Sequence, residues 1–387
     1  MSWNSMFTKK NLLVSGVCAC PGIVAGRTYI WDNDVEQNLN EGDILLVLDL
    51  TDELPFWAIQ KSSAIISCGH TSYSHLTSFA MALNKPCIVG AVFSYLPENH
   101  SLVVVDSQES IIAYSELNDV PELVMSDQEN KWLLNVADKV NEKLYSMNDK
   151  PLAHIIDLKG SEYYIDYISG IFFDSMIFQK ESYAISELKS VIYNVHHRHP
   201  DIGIYYRFSS DALRYKDDKL QLKREIEFVC TLQDVGIPIH VFVANASSYN
   251  DIVAFRQFIS CICGLNVSIK VGTMIENKQI VDCLDSIASD NLIDFAVVGI
   301  NDLMSSYLQL ERDDPKNQEN FRIDANPISN ALIAISNVLT KKNIPYYIGF
   351  PKYSRFFADY ELLNKFGYNV FFGTHSLFAI AQKYGRI

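Results

Sequence analysis

The stretch after Pro151 alternates extended and helical patterns with a regularity that few architectures satisfy. Short runs rich in Val, Ile, Phe and Tyr fall at Ala153–Asp157, Gly170–Phe173, Ile202–Arg207, Ile239–Ala244, Ser268–Met274, Phe295–Ile300, Tyr346–Phe350 and Val370–Gly373. Helical periodicity separates them at Tyr183–Val195, Leu220–Leu232, Tyr249–Cys263, Lys278–Ala288, Ile328–Thr340 and Phe356–Phe366. Eight strand-helix units across 151–387 match the count and length of a (β/α)₈ TIM barrel, which typically takes about 250 residues. An open doubly wound sheet is the alternative, and the lack of a glycine-rich phosphate turn argues against it.

The preceding residues have another rhythm. Short Val- and Ile-rich runs at Leu12–Cys20, Ala25–Trp31, Asp43–Leu48, Ala64–Ser67, Cys87–Val92, Leu102–Val105 and Ile111–Tyr114 are separated by turn residues such as Pro21-Gly22 and Pro97-Glu98-Asn99. Only Leu54–Ser62 and His75–Leu83 look helical. Residues 1–115 therefore read as a small, mostly β domain with one or two helices, 116–150 as a polar linker helix, and 151–387 as the barrel.

Composition narrows the function classes. With 387 residues, 48% hydrophobic and 20% charged, and no apolar run near the roughly 18 residues that span a bilayer, the chain reads as soluble and without membrane association. A net charge of −14 argues against a nucleic-acid surface, which needs a basic stripe to displace counterions. The eight cysteines include no C-x-x-C pair and fall mostly in apolar runs, as reduced core thiols of a cytoplasmic protein do. No signal-peptide pattern follows Met1–Lys10, so export is not expected.

One candidate for chemistry lies in each part. His75 follows an apolar run and a small polar stretch around Gly69, and it precedes a helical pattern closed by Lys85-Pro86. Orphan N–H groups and the helix dipole at such a position favour an anion, for instance a phosphoryl group on an imidazole nitrogen. An imidazole with an ordinary pKa of about 6.5 is also a serviceable nucleophile. On the local pattern alone, a capping histidine without chemistry is the commoner reading. In the barrel, chemistry belongs at the carboxyl ends of the strands, where Asp157, Ser175, Arg207, Asn245, Glu276, Asn301, Asp302, Phe350 and His375 fall. Glu276 and Asp302, on neighbouring loops, suit Mg²⁺, which takes one or two carboxylates plus substrate oxygens, and Arg207 suits a phosphate or carboxylate. Each also reads as a loop cap or surface ion pair. His196-His197-Arg198-His199 reads as the basic end of a helix ahead of Pro200 rather than a metal site.

A family resemblance connects the two parts. Gly16-Val17-Cys18-Ala19-Cys20-Pro21-Gly22-Ile23-Val24-Ala25-Gly26, Glu41-Gly42-Asp43-Ile44-Leu45 and the block around His75, with Ala80, Leu83, Pro86, Val89 and Gly90 behind it, resemble the swivelling phosphohistidine domain of the phosphoenolpyruvate-utilising enzymes. That family includes phosphoenolpyruvate synthase and pyruvate phosphate dikinase. Gly272-Thr273-Met274-Ile275-Glu276, Val298-Gly299-Ile300-Asn301-Asp302-Leu303, Arg207-Phe208-Ser209-Ser210-Asp211 and Glu311-Arg312-Asp313 resemble segments of its barrel. The resemblance implies that His75 carries phosphate, that Glu276 and Asp302 bind Mg²⁺, and that Arg207 and Asn301 contact substrate.

The departures carry information too. Tyr73 stands where the family has threonine, and Met81 where it has arginine; His70 lies in the loop as a bystander. Ser175 and Ile177 occupy the positions of a substrate arginine and a glutamate, and no cysteine lies near Phe350, where relatives keep the one that handles the pyruvate proton. Nothing resembles the ATP-grasp domain that loads the histidine in the synthases. The expectation is a phosphotransferase working through phospho-His75 and a Mg²⁺-dependent barrel site, with a separate ATP-grasp partner, a non-pyruvate acceptor and a possible homodimer through the barrel. Alternatives are a catalytically reduced binding or regulatory subunit, and full phosphoenolpyruvate-to-pyruvate chemistry with another proton donor.

Overall fold

The computed structural model describes residues 14–20, 22–31, 39–48, 54–83, 85–107, 110–114, 152–154, 170–174, 185–209, 219–263, 269–349 and 356–373. The linker reading at 116–150, Asp157, Ser175, Ile177, Phe350 and His375 lie outside them.

The amino-terminal part is built on strands β1 (Val14–Cys20), β2 (Ile23–Ile30), β3 (Ile44–Val47), β4 (Ala64–Ser67), β5 (Cys87–Phe93), β6 (Leu102–Asp106) and β7 (Ile111–Tyr114), with helices α1 (Phe56–Lys61) and α2 (His75–Ala82). They form a seven-stranded sheet in the order β1-β5-β4-β3-β2-β6-β7. The centre, β2-β3-β4-β5, is parallel, while β1, β6 and β7 join antiparallel. Residues of β3 and β4 are buried on both faces, because side chains alternate across a strand and each face has its own cover. Leu45, Val47 and Ile65 pack with Ala58 and Ile59 of α1 and with Leu76 and Ala80 of α2. Ile44, Leu46 and Ile66 pack with Val103, Val105 and Ile112 of β6 and β7. Each such Leu or Ile stabilises the domain by roughly 1.5–3 kcal/mol, so a one-residue slip of β3 would exchange two complete cores.

The second part closes a barrel from β8 (Leu152–His154), β9 (Gly170–Asp174), β10 (Gly203–Ser209), β11 (Ile239–Ala244), β12 (Lys270–Ile275), β13 (Phe295–Val298), β14 (Tyr346–Gly349) and β15 (Asn369–Gly373). Every neighbouring pair is parallel, including β15 with β8. Helices described between strands are α3 (Ile185–Arg198), α4 (Lys219–Asp234), α5 (Tyr249–Cys263), α6 (Lys278–Ser289), α7 (Ile300–Leu308), α8 (Asn326–Lys341) and α9 (Phe356–Lys365). A 3₁₀ segment, Pro315–Asn320, stands between α7 and α8. Period-two alternation sorts the strand residues: Ile204, Tyr206, Phe208, Val241, Val243, Ala296, Val298 and Ile348 face the helices, while Phe172, Tyr205, Phe242, Met274, Phe295, Val297 and Tyr347 pack together as a second cluster that fills the interior. Gly272 is required inside, since a Cβ there would lie 2.6 Å from the Phe295 ring.

One boundary differs from the sequence expectation in a way that matters for the site. The pattern carries the sixth barrel strand through Ile300, but the strand ends at Val298 and Ile300 opens α7. Gly299 makes the break: its N–H still bonds to Ile275, and its carbonyl accepts from Leu303 in the first helical turn. Ile300 stays buried in the outer core, so apolar character runs unbroken from strand into helix and hides the boundary. Asn301 and Asp302 consequently stand in a helical first turn rather than on a loop.

Candidate active site

His75 is the first residue of α2. Ser74 caps the helix, accepting from the Thr77 N–H at 3.3 Å, and its own hydroxyl donates to the Thr71 carbonyl. The Thr77 hydroxyl also donates to Thr71 O, at 2.7 Å. The loop before His75 is thus tied to the helix that follows, and the imidazole, stacked at 6.1 Å on Phe79 one turn later, projects from a braced support. His70 points elsewhere, with Nδ1 at 2.7 Å from the Ser67 hydroxyl.

The loop and helix face the carboxyl end of the barrel. Tyr73 is buried with barrel residues, its ring 5.0 Å from that of Phe321 and its hydroxyl donating to the Phe321 carbonyl. The Thr71 hydroxyl donates to the Arg312 carbonyl, and Asn301 Nδ2 donates to the Tyr73 carbonyl at 3.4 Å. Met81 packs against both the barrel core and its own domain's core.

Beneath this contact lie the acidic residues. Glu276 follows β12 directly and is buried; Oε2 accepts the Asn245 N–H at 2.7 Å. Asn245 reaches that position with φ +57°, a left-handed conformation asparagine tolerates better than most residues. Gly299 leaves the room: a Cβ there would stand 2.6 Å from Glu276 Cγ and 2.8 Å from Oε1. Burial, and then the charge of Asp302, push the Glu276 carboxyl up to about 7, against the opposing pull of the Asn245 N–H, Arg207 and Arg312.

Asp302 is held from the other side by Arg312, Nη1 to Oδ1 at 2.6 Å. The Arg312 side chain is about 10% exposed, its Nε lies 3.8 Å from Asp313, and its Nη2 is buried without a partner among the described residues. Arg207 points into the barrel, its guanidinium over Phe172 at 5.6 Å and Nη1 4.0 Å from Met274 Sδ.

These charges reach His75. The packed protein around the ring lowers its pKa below 6.5; Arg312 lowers it further, Asp302 and Asp313 raise it, and Arg207 lowers it slightly. His75 nevertheless keeps an exposed surface. The two statements agree for a ring at the edge of a domain contact, crowded on one side and open to water on the other. The net direction favours neutral imidazole, whose ring nitrogen has a lone pair available near neutral pH.

Of the residues singled out in the sequence, His75, Arg207, Glu276, Asn301 and Asp302 are all brought to this one contact, although 75 and 207–302 belong to separate folding units. Arg312 is the residue whose weight the sequence understated. Its acid-Arg-acid setting is visible in the sequence, but only the fold shows that Nη1 holds Asp302, that the backbone carbonyl accepts from Thr71 of the histidine domain, and that Nη2 is buried without a partner among the described residues. Asn245 contributes its backbone N–H. Among the described residues no group of three or more His, Cys, Asp or Glu is arranged to hold a metal. The His-rich end of α3 is its basic last turn.

The arrangement is thus a small mixed-sheet domain whose helix-start histidine is docked at the acidic mouth of a parallel barrel. Comparison with known families matches both parts. Residues 39–110 match the family model "PEP-utilising enzyme, mobile domain", and residues 247–343 match "PEP-utilising enzyme, PEP-binding domain". Two separate stretches thus match domain models of the phosphoenolpyruvate-utilising enzymes, and no ATP-grasp domain is detected. No curated protein matches it.

Among solved structures, the HpcH/HpaI aldolase from Desulfitobacterium hafniense DCB-2 is 12% identical, with 63% of this chain and 93% of that one covered and a TM-score of 0.40. An HpcH/Hpal aldolase/citrate lyase family protein from Burkholderia cenocepacia J2315 is 13% identical, over 64% and 97%, at 0.43. The citrate lyase β subunit from M. tuberculosis, complexed with oxaloacetate and magnesium, is 11% identical, over 62% and 98%, at 0.38.

Proposed function

We propose that the protein is a phosphotransferase of the phosphoenolpyruvate-utilising type in which a ring nitrogen of His75 carries the phosphoryl group to or from the barrel mouth. The observation that carries this reading is the docking itself: beside His75, Thr71 bonds the Arg312 carbonyl, Tyr73 bonds the Phe321 carbonyl and packs on its ring, and Asn301 bonds the Tyr73 carbonyl. In the transfer, a P–O bond of the donor breaks as the N–P bond to neutral His75 forms, and the displaced oxygen leaves with its electron pair. Arg207 and the unpaired Nη2 of Arg312 supply positive charge for the phosphoryl oxygens.

The acid pair fits a divalent cation. Glu276 is raised to about 7 partly because Asp302 repels its ionised form, and a cation between the two removes that repulsion. Two carboxylates, with no third His, Cys, Asp or Glu grouped with them among the described residues, match Mg²⁺, which completes its shell with substrate oxygens and water. Bound there, Mg²⁺ would supply charge neutralisation for the transferring group. Glu276 and Asp302 would hold it, Asn245 and Arg312 fixing their orientation.

The acceptor is other than pyruvate, since no cysteine lies beyond Cys283 to handle a pyruvate proton, and a separate cytoplasmic ATP-grasp protein is the expected nucleotide-dependent loader. No described helix is long and apolar enough to cross a membrane. The test is labelling with ³²P-phosphoenolpyruvate and, separately, with ATP labelled at both its β- and γ-phosphates plus an ATP-grasp partner: at least one donor should leave acid-labile label on the wild type and none on His75→Ala. Absence of label from every donor would refute the transfer reading and leave the binding-subunit reading standing.

A further inference from the structure

The contact between the two parts of the molecule is more specific than a carrier resting on a surface requires. Tyr73, two residues before His75, is one of the largest fully buried side chains, yet the core it belongs to is the barrel's. Its ring lies against Phe321 at 5.0 Å, its hydroxyl donates to the Phe321 carbonyl, and its own carbonyl accepts from Asn301. The Thr71 hydroxyl donates to the Arg312 carbonyl. Phe321 and Arg312 belong to one segment, 309–325, which leaves the site-bearing helix α7, passes the 3₁₀ turn and enters α8. Its partner loop, 71–74, is tied internally by Ser74 and Thr77 to the start of α2.

We infer that barrel segment 309–325 is a clasp for the histidine loop, and that Tyr73 is the positioning residue that sets where His75 stands over Glu276 and Asp302. The inference rests on the transfer reading for its purpose, but on contacts alone for its existence. The bracing explains how the position is transmitted: Tyr73, Ser74 and His75 are consecutive, and the Thr71 carbonyl bonds both the Ser74 and the Thr77 hydroxyls, so fixing Tyr73 fixes the helix start. Arg312 joins the two functions, since its backbone carbonyl holds the loop while its guanidinium holds Asp302. Withdrawing the carrier therefore disturbs the acid pair's own support. Departure of His75 requires extraction of an aromatic ring from a core, which makes the docked arrangement the resting one.

Hydrogen exchange and labelling on the full chain test this. In Tyr73→Ala, amides of 71–77 and 309–325 should exchange at least about a hundredfold faster, as for loss of a buried aromatic ring, with β3, β4, β11 and β12 as protected as before. Tyr73→Phe, which keeps the ring and loses the hydroxyl, should show about fivefold. Label from phosphoenolpyruvate, which needs the barrel, should fall in Tyr73→Ala. Label from phosphoramidate, a small donor that needs only an accessible histidine, should hold or rise. Protection at both segments unchanged in Tyr73→Ala would overturn the clasp, and equal loss of label from both donors would overturn the positioning role. If neither phosphoenolpyruvate nor ATP with its partner labels even the wild type, the transfer reading fails alone; the exchange result still decides the clasp.

Discussion

Replacing Glu276 with Gln isolates the electrostatics of the barrel mouth in one measurable quantity. A carboxyl moved from its ordinary 4.5 to about 7 corresponds to about 3 kcal/mol, at roughly 1.4 kcal/mol per pH unit. The folded-state pKa lies above the unfolded one, so the fold favours the protonated acid. That contribution is fully present below about pH 4.5 and is lost as pH rises through about 7. The attraction of Arg207 and Arg312 is already contained in that balance, and burial with Asp302 outweighs it. Gln is neutral at every pH and nearly isosteric, and its carbonyl still accepts the Asn245 N–H. At pH 8 without divalent cations, Glu276→Gln should therefore be about 3 kcal/mol more stable than the wild type; at pH 4 the two should match. For a barrel-sized unit this is roughly 6–12 °C in Tm at pH 8, readable by calorimetry across a pH series. Mg²⁺ should then raise the wild-type transition at pH 8 and leave the variant's in place. A variant no more stable than the wild type at pH 8, or a constant difference from pH 4 to 8, would refute the burial-and-repulsion argument.

Asp302→Asn removes both the repulsion on Glu276 and the 2.6 Å partner of Arg312, a nearly buried guanidinium. It should bring the Glu276 pKa down, seen by infrared titration, while costing about 1–2 kcal/mol in denaturant unfolding, because the exposed side of Asp302 softens the loss. Gly299→Ala drives a Cβ to within 2.6 Å of Glu276; it should cost about 1–3 kcal/mol and abolish any Mg²⁺-dependent rise in Tm, and a retained rise would show that Glu276 does not hold the cation.

The sequence by itself determined each of the two folding units. Period-two alternation is a local property, and in β10, β11 and β13 it divides residues between barrel interior and helix-facing core without reference to any distant residue. His75 as the first residue of α2 was legible for the same reason, since a small polar cap followed by apolar periodicity acts within one turn. Where one signal masked another, reading failed: Ile300 is buried whether strand or helix, so only the backbone break at Gly299 reveals that Asp302 begins a helical turn.

Tertiary structure decided the rest, because it depends on groups far apart in the chain. Tyr73 and Met81 are departures from the family pattern in the sequence; in the fold both meet the barrel, Tyr73 248 residues from the carbonyl it bonds. The raised pKa of Glu276 comes from burial and from Asp302, neither readable in the residues beside it. Arg312 is a family-like arginine in sequence and, in space, a nearly buried guanidinium with one nitrogen on Asp302 and another without a partner among the described residues. Sequence periodicity laid out a histidine domain and a barrel. Docking placed the histidine against the acids, since fields and hydrogen bonds act across space and local patterns do not.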